Sequence, residues 1–172
     1  MARAQNTDYM QGFRFHAVAL DDATLLEFSG QTGLPGGQAG FQSVTIPDIS
    51  TDAVEYREGT MTWTRKQPGP PTVGEATLSR GICIRDTKFF DWMYNKVIGG
   101  KEYRTDILVY HYHRSEQQLA ASGGPADATR KYILHECFPS MAKLAGDLEA
   151  TSGDISLAEI TLVCEEITYD LT

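Results

Sequence analysis

The chain has 172 residues, 41% of them hydrophobic and 22% charged, with a formal net charge of -8. That length fits one domain, residues 1–172, with a proper core, and the balance excludes a disordered chain. The acidity argues against a dedicated nucleic-acid grip, which works by neutralising phosphates with a basic patch, though not against nucleic acid passing by without adhering.

Cys83, Cys137 and Cys164 lie far apart, without C-x-x-C spacing and in apolar or strand-like surroundings. They read as small buried thiols in a reducing compartment. The first eight residues lack the apolar run of a signal peptide, and no stretch approaches the ~20 apolar residues of a membrane span. The expectation is assembly in the cytoplasm, with no membrane insertion by the subunit.

In chain order, residues 12–20 alternate, with Phe13, Phe15, Ala17 and Ala19 on one face, as in a half-buried strand. A Gly/Pro loop follows at 29–37, then a second strand from Phe41 to Ile46, closed by Pro47. Residues 48–73 are polar and Pro-punctuated, yet Val54/Tyr56 and Met61/Trp63 alternate about Glu58-Gly59-Thr60. This pattern predicts a protruding hairpin arm. A solvated loop has little use for exposed Trp and Met, so the arm is expected to meet a neighbour. Its candidate interface residues are Tyr56, Arg57, Glu58, Met61, Trp63, Arg65 and Lys66. The competing reading folds Trp63 back on its own domain.

A third strand runs from Ala76 to Ile84, with Ala76, Leu78, Ile82 and Ile84 in phase and Arg80 interrupting. Asp86 is a good N-cap for a helix over 86–98. Phe89, Trp92, Met93 and Val97 form that helix's apolar stripe, and Gly99-Gly100 supplies a left-handed stop. Residues 103–113 form a long strand that is partly apolar on both faces, so its second face should be covered by the helix or by another subunit. Residues 115–127 read as a flexible connection, 129–138 as a strand ended by Pro139. In the last strand, 157–167, Ala158, Ile160, Leu162 and Cys164 share one face and Glu159, Thr161 and Glu165 the other. The whole is expected to be mainly β: a small barrel or sandwich of antiparallel strands, one flanking α-helix and the arm.

Little here suits bond-making chemistry, and no enzyme is expected. His111 and His113 share a strand face, but a zinc site needs three or four ligands and only distant His16, His135 and scattered cysteines could complete one. No metal or other cofactor is expected. There is no G-x-S-x-G elbow, Walker A loop or G-x-G-x-x-G fingerprint. The adjacent carboxylates Asp21-Asp22 and Glu165-Glu166 would point to opposite faces of a strand. Charge is uneven: bases outnumber acids between Val54 and Arg104, and only acids follow Lys143. Such a layout suits head-to-tail contact between copies.

Four blocks resemble the T4-type tail tube protein family of contractile phage tails and extracellular contractile injection systems. They are Gln11-Gly12-Phe13-Arg14-Phe15 with residues 39–44; Glu55-Tyr56-Arg57-Glu58-Gly59 joined to Thr64-Arg65-Lys66-Gln67-Pro68-Gly69; residues 76–81 leading to Phe89-Phe90-Asp91-Trp92; and Cys137-Phe138-Pro139 with 146–148 and 155–166. Their order covers most of the chain. The departures, at residues 30–40 and 115–127, concern the subfamily.

The resemblance implies an Hcp-like tail-tube fold that self-assembles into hexameric rings. Rings would stack into a hollow inner tube within a contractile sheath. The implied partners are further copies of the chain, a sheath protein, baseplate or hub and terminator proteins, and DNA or protein cargo that passes without specific binding. Glu159, Thr161 and Glu165 are then candidates to line the lumen. Two alternatives share the fold: a tube-initiator or baseplate-hub ring, and a ring that carries cargo in its lumen.

Overall fold

The structure is a computed structural model that describes residues 9–20, 26, 40–82, 87–100, 102–114, 128, 130–146, 148 and 153–171. The expected Gly/Pro loop, the Asp86 cap and the 115–127 connection lie outside those residues, as do Cys83, Ile84 and Asp21-Asp22.

Alternation of apolar and polar residues gives each strand an inward face. The strands are β1 (Phe15–Ala19), β2 (Ser43–Thr45), β3 (Ile49–Tyr56), β4 (Arg65–Val73), β5 (Glu75–Gly81), β6 (Thr105–His111), β7 (Arg130–Lys143), β8 (Leu157–Val163) and β9 (Glu166–Leu171). Every pairing is antiparallel. β7 belongs to two sheets. Its first half lies between β6 and β9, with β1 beyond β6, and its second half pairs with β8, followed by β5 and β2. The strand path among the described residues is therefore open, ending at β1 and β2, where the sequence left a closed barrel possible. β3 and β4 form a separate two-stranded sheet, the arm.

The core lies between the inward faces. β1 supplies Ala17 and Ala19, β5 supplies Ala76 and Leu78, β6 supplies Ile107 and Val109, and Leu134, Ile160 and Leu162 come from β7 and β8. A short helix, α1 (Lys88–Asp91), continues into a π-helical segment, Trp92–Ile98. It sets Phe89 and Trp92 into this core, while Met93 and Val97 are half-buried beside it. The Trp92 indole N–H donates to the Tyr103 carbonyl at 2.9 Å, so the ring is buried without stranding its polar atom. Gly100, at φ 68°, ends the segment in the left-handed conformation that glycine adopts without steric cost. Among the described residues no helix is long and apolar enough to cross a membrane.

Three local readings change. Arg80 sits in phase with the core residues of β5 and is fully buried. Its Nη1 donates to the Leu26 carbonyl at 2.9 Å, and its guanidinium lies 4.0 Å above the Phe89 ring. The charge is accommodated inside rather than interrupting the strand. Pro139 does not end β7: it is buried and pairs with Leu162. β6 pairs with β7 no further than Cys137, so the missing proline N–H falls where β7 has a neighbour on one side only. The last strand breaks at Cys164-Glu165 into β8 and β9, which pair with the two halves of β7 in turn. Both long strands bend at this corner.

Candidate assembly surfaces

The arm is the least buried regular structure among the described residues: every position of β3 is exposed. Its register pairs Tyr56 with Arg65, Glu55 with Lys66 and Val54 with Gln67. The Glu55 carboxylate accepts an ion pair from Lys66 at 2.9 Å. A bulge in β4 at Gly69-Pro70, opposite Asp52, brings Gly69 against the Asp52 carbonyl, where any Cβ would stand 2.8 Å from that oxygen. Pro68, Pro70 and Pro71 remove donors from β4 and blunt it as a template for stray strand pairing. Between the strands, Met61 N–H donates to the Glu58 carbonyl at 3.0 Å, and Arg57 Nε to the Met61 carbonyl at 3.3 Å. Met61 and Trp63 thus belong to the turn region, not to a strand as their alternation suggested, and Met61 is half-buried. Trp63 is 83% exposed and does not fold back on its own domain; Tyr56 is 58% exposed. Ile49 and Val54 add to this apolar surface. An isolated ribbon with such side chains in water is poorly stable alone.

A second apolar surface lies at the other end of β5. There a cavity of about 340 Å³ is lined by Arg80, Ile82, Thr87, Phe89, Phe90, Leu144 and Ala158. Phe90 and Leu144 are exposed, as is Ile155, whose side chain approaches Gly81. The arm joins β5 at Glu75, while the cavity borders Arg80 and Ile82. At ~3.3 Å per residue, roughly 20 Å of strand separates the base of the arm from the cavity.

The bend of β7 holds a polar cluster that the sequence reading did not find. Glu136 adopts φ 52°, a left-handed conformation rare for a residue with a Cβ. The Asp106 carboxylate steadies this bulge, accepting the Glu136 backbone N–H at 2.9 Å and bonding His135 Nδ1 at 2.9 Å. His135 Nε2 in turn bonds the Thr168 hydroxyl at 2.9 Å, which ties β6, β7 and β9 together. Arg104 forms ion pairs with Glu165 and, at 3.6 Å, with Glu136. Hydrogen bonding to Tyr103 and to Glu165 raises the Arg104 pKa. Behind this cluster Cys137 and Cys164 are buried with their sulfurs 3.0 Å apart, the Cys137 thiol donating to Cys164 Sγ. The one legible hint was Asp106, a carboxylate inside an otherwise apolar strand.

The candidate lumen residues separate. Thr161 is only 7% exposed, covered within the subunit, and supplies no wall surface. Its burial follows from its place in the middle of β8, between Thr77 of β5 and Met141 of β7. Glu165 lies past the strand break and is engaged by Arg104, whereas Glu159 is on β8 itself. Glu159 remains on β8, between Ser79 and Lys143. Charge complementarity between copies is also narrower than the residue list suggested. Arg80 is buried, and Lys66 and Arg104 pair with acids of their own subunit. His111 Nε2 lies 3.1 Å from the Gln11 carbonyl, and no group of three or more His, Cys, Asp or Glu able to hold a metal occurs among the described residues.

No curated protein matches the chain. Among solved structures, the chain is similar to a component of the "PVC sheath-tube complex in extended state" of an extracellular contractile injection system. The TM-score is 0.75 with 23% identity, covering 98% of this chain and 95% of that one. It is similar also to a chain of the anti-feeding prophage cap, described as a tube terminating cap, with TM-score 0.72, 20% identity and coverage of 96% and 93%. An Hcp protein matches at TM-score 0.54 and 11% identity, covering 92% and 91%. At these identities the likeness establishes the tail-tube fold. The profile of the family described as T4-like virus tail tube protein gp19 matches residues 12–168, nearly the whole chain, and the protein belongs to that family.

Proposed function

We propose that six copies of this structural subunit close into a ring, and that rings stack head to tail as the inner tube of a contractile tail or injection particle. The observation that carries this reading is the β3–β4 arm, a ribbon with exposed Tyr56 and Trp63 and no cover from its own subunit among the described residues. The arm joins β5 at one end, and the cavity beside Phe90 and Leu144 borders the other. Unlike surfaces that both seek cover favour a heterologous contact, and such contacts give closed rings or open stacks. Tyr56, Arg57, Glu58, Met61, Trp63, Arg65 and Lys66 form the arm's contact surface in this reading. The sheath, baseplate or hub, and terminator are its partners, by analogy with the sheath–tube, cap and baseplate assemblies that hold its structural neighbours. Assembly takes place in the cytoplasm. DNA or protein passes through the bore without specific binding, and Glu159 contributes negative charge to the wall that discourages acidic cargo from adhering.

The test compares the wild-type chain with Trp63→Ala and Arg65→Glu by size-exclusion chromatography and negative-stain electron microscopy. Both variants are expected to keep the far-UV spectrum of the folded subunit while losing rings or stacks. Undiminished assembly in both would remove the arm from the interface. The fold is also shared with a cap and a baseplate chain. A protein that forms single rings and never stacks would be an initiator or hub subunit, and one that retains a specific small protein in its bore would be a cargo carrier.

A further inference from the structure

We propose that Cys137 and Cys164 form a dithiol modification site: a low-molecular-weight disulfide converts the pair into an intramolecular cross-strand disulfide that locks the bend of β7 against the β8–β9 turn. The inference stands on the thiol geometry and holds whether or not the chain forms a tube.

Phe138 pairs with Val163, so one step further along the ladder Cys137 stands opposite Cys164. Directly opposed residues on antiparallel strands hold their Cβ atoms ~4.5–5.5 Å apart, close to the separation that a disulfide requires. Here the sulfurs already face each other at 3.0 Å. Neither is bound in a disulfide, and their neighbours offer no competing thiol among the described residues. The bend allows the small closing movement. Glu136 next to Cys137 is in a left-handed bulge, and Cys164-Glu165 is the break between β8 and β9. At this corner the ladder is irregular, and closing the sulfurs by about an ångström gives up the contact of the Cys137 thiol to the Leu134 carbonyl at 3.3 Å.

The two thiols differ in a way that sets the order of events. Cys137 is wholly buried, whereas Cys164 keeps 5% of its surface exposed. The hydrogen bond between the sulfurs raises the Cys137 thiol's pKa and lowers that of Cys164, favouring a thiolate at Cys164. Cys164 Sγ attacks one sulfur of the small disulfide RSSR. That S–S bond breaks and the first RS⁻ leaves, taking up the proton Cys164 released. Cys137 Sγ then attacks Cys164 Sγ, the mixed disulfide breaks, and a second RSH departs with the Cys137 proton. Two protein thiols lose two electrons and one RSSR becomes two RSH. The bridge closes a loop that spans the whole β7–β8 connection, and constraining such a loop stabilises a fold through the unfolded chain.

The experiment uses the full-length chain carrying Cys83→Ser, incubated with glutathione disulfide or with dithiothreitol. Readouts are intact mass, a non-reducing peptide map and thermal unfolding. Oxidation is expected to lower the mass by about 2 Da, to link the Cys137 and Cys164 peptides, and to raise the Tm by roughly 5–10 °C. With Cys137→Ala added, glutathione should remain trapped on Cys164; with Cys164→Ala, no adduct should form. If those variants fail to fold, the mass and peptide map of the Cys83→Ser chain still decide the question. Two thiols that remain free to alkylate, or a stable glutathione adduct with Cys137 still reduced, would overturn the proposal.

Discussion

His16 is the residue whose environment makes the clearest solution prediction. It lies on β1 opposite Tyr110 of β6, and burial lowers its pKa below the ordinary histidine value of 6.5. A folded-state pKa below the unfolded one means that the unfolded chain binds the proton more readily. This contribution to stability is therefore fully present above about pH 6.5 and is lost as pH falls through the folded value. Unfolding midpoints measured between pH 5 and 7.5 should fall on the acid side, and the fall should be shallower in His16→Gln. A midpoint profile identical in the two chains would show that His16 has no part in it. At this scale the sequence spoke well for small apolar residues in phase, such as Ala17, Leu78 and Ile160, because a period of two leaves them one face to choose. It misread Arg80 and Pro139, whose side chains announce exposure and termination. Each is instead accommodated by its surroundings in the fold, Arg80 by distant Leu26 and by Phe89, Pro139 by the start of β6 at Thr105, which leaves β7 unpaired on that side.

Among the elements, the helix and the arm invite opposite outcomes from the same kind of mutation. Trp92 is fully buried within the core, and truncating it leaves a cavity and strands the Tyr103 carbonyl. Trp92→Ala should cost about 3–5 kcal/mol in chemical denaturation, the range for deleting a large buried aromatic. Trp63, on the exposed arm turn, should change subunit stability by no more than about 0.5 kcal/mol when replaced by alanine. Its loss should instead appear in assembly. A Trp63→Ala chain that unfolds as readily as Trp92→Ala would place Trp63 in a core. The arm was legible because its residues break the economy of a solvated loop; its first strand lies where the alternation of Val54 and Tyr56 put it, while its second begins only at Arg65, past Met61 and Trp63. The π-helical widening at Trp92–Ile98 was not legible, since the Phe89, Trp92, Met93, Val97 spacing also suits an ordinary helix. The corner of β7 was hidden for a different reason. Asp106, Glu136, Cys137 and Cys164 are brought together by strand register across long separations, and no local pattern encodes that meeting.

For the whole molecule, the physical account rests on a subunit whose own fold is satisfied while two unlike surfaces, the arm and an apolar cavity, are not. Among the described residues the arm sits apart as an uncovered ribbon, and the apolar cavity beside Phe90 and Leu144 borders the far end of β5. The chain belongs to the tail tube family, and in the tube we propose those surfaces make the contacts between copies. No chemistry is asked of it. The most direct measurement is negative-stain electron microscopy of the purified wild-type chain over a range of concentrations, alone and with its sheath and baseplate components. The account predicts hollow sixfold rings that lengthen into tubes of constant diameter as concentration rises. Separate single copies under every one of those conditions would contradict it.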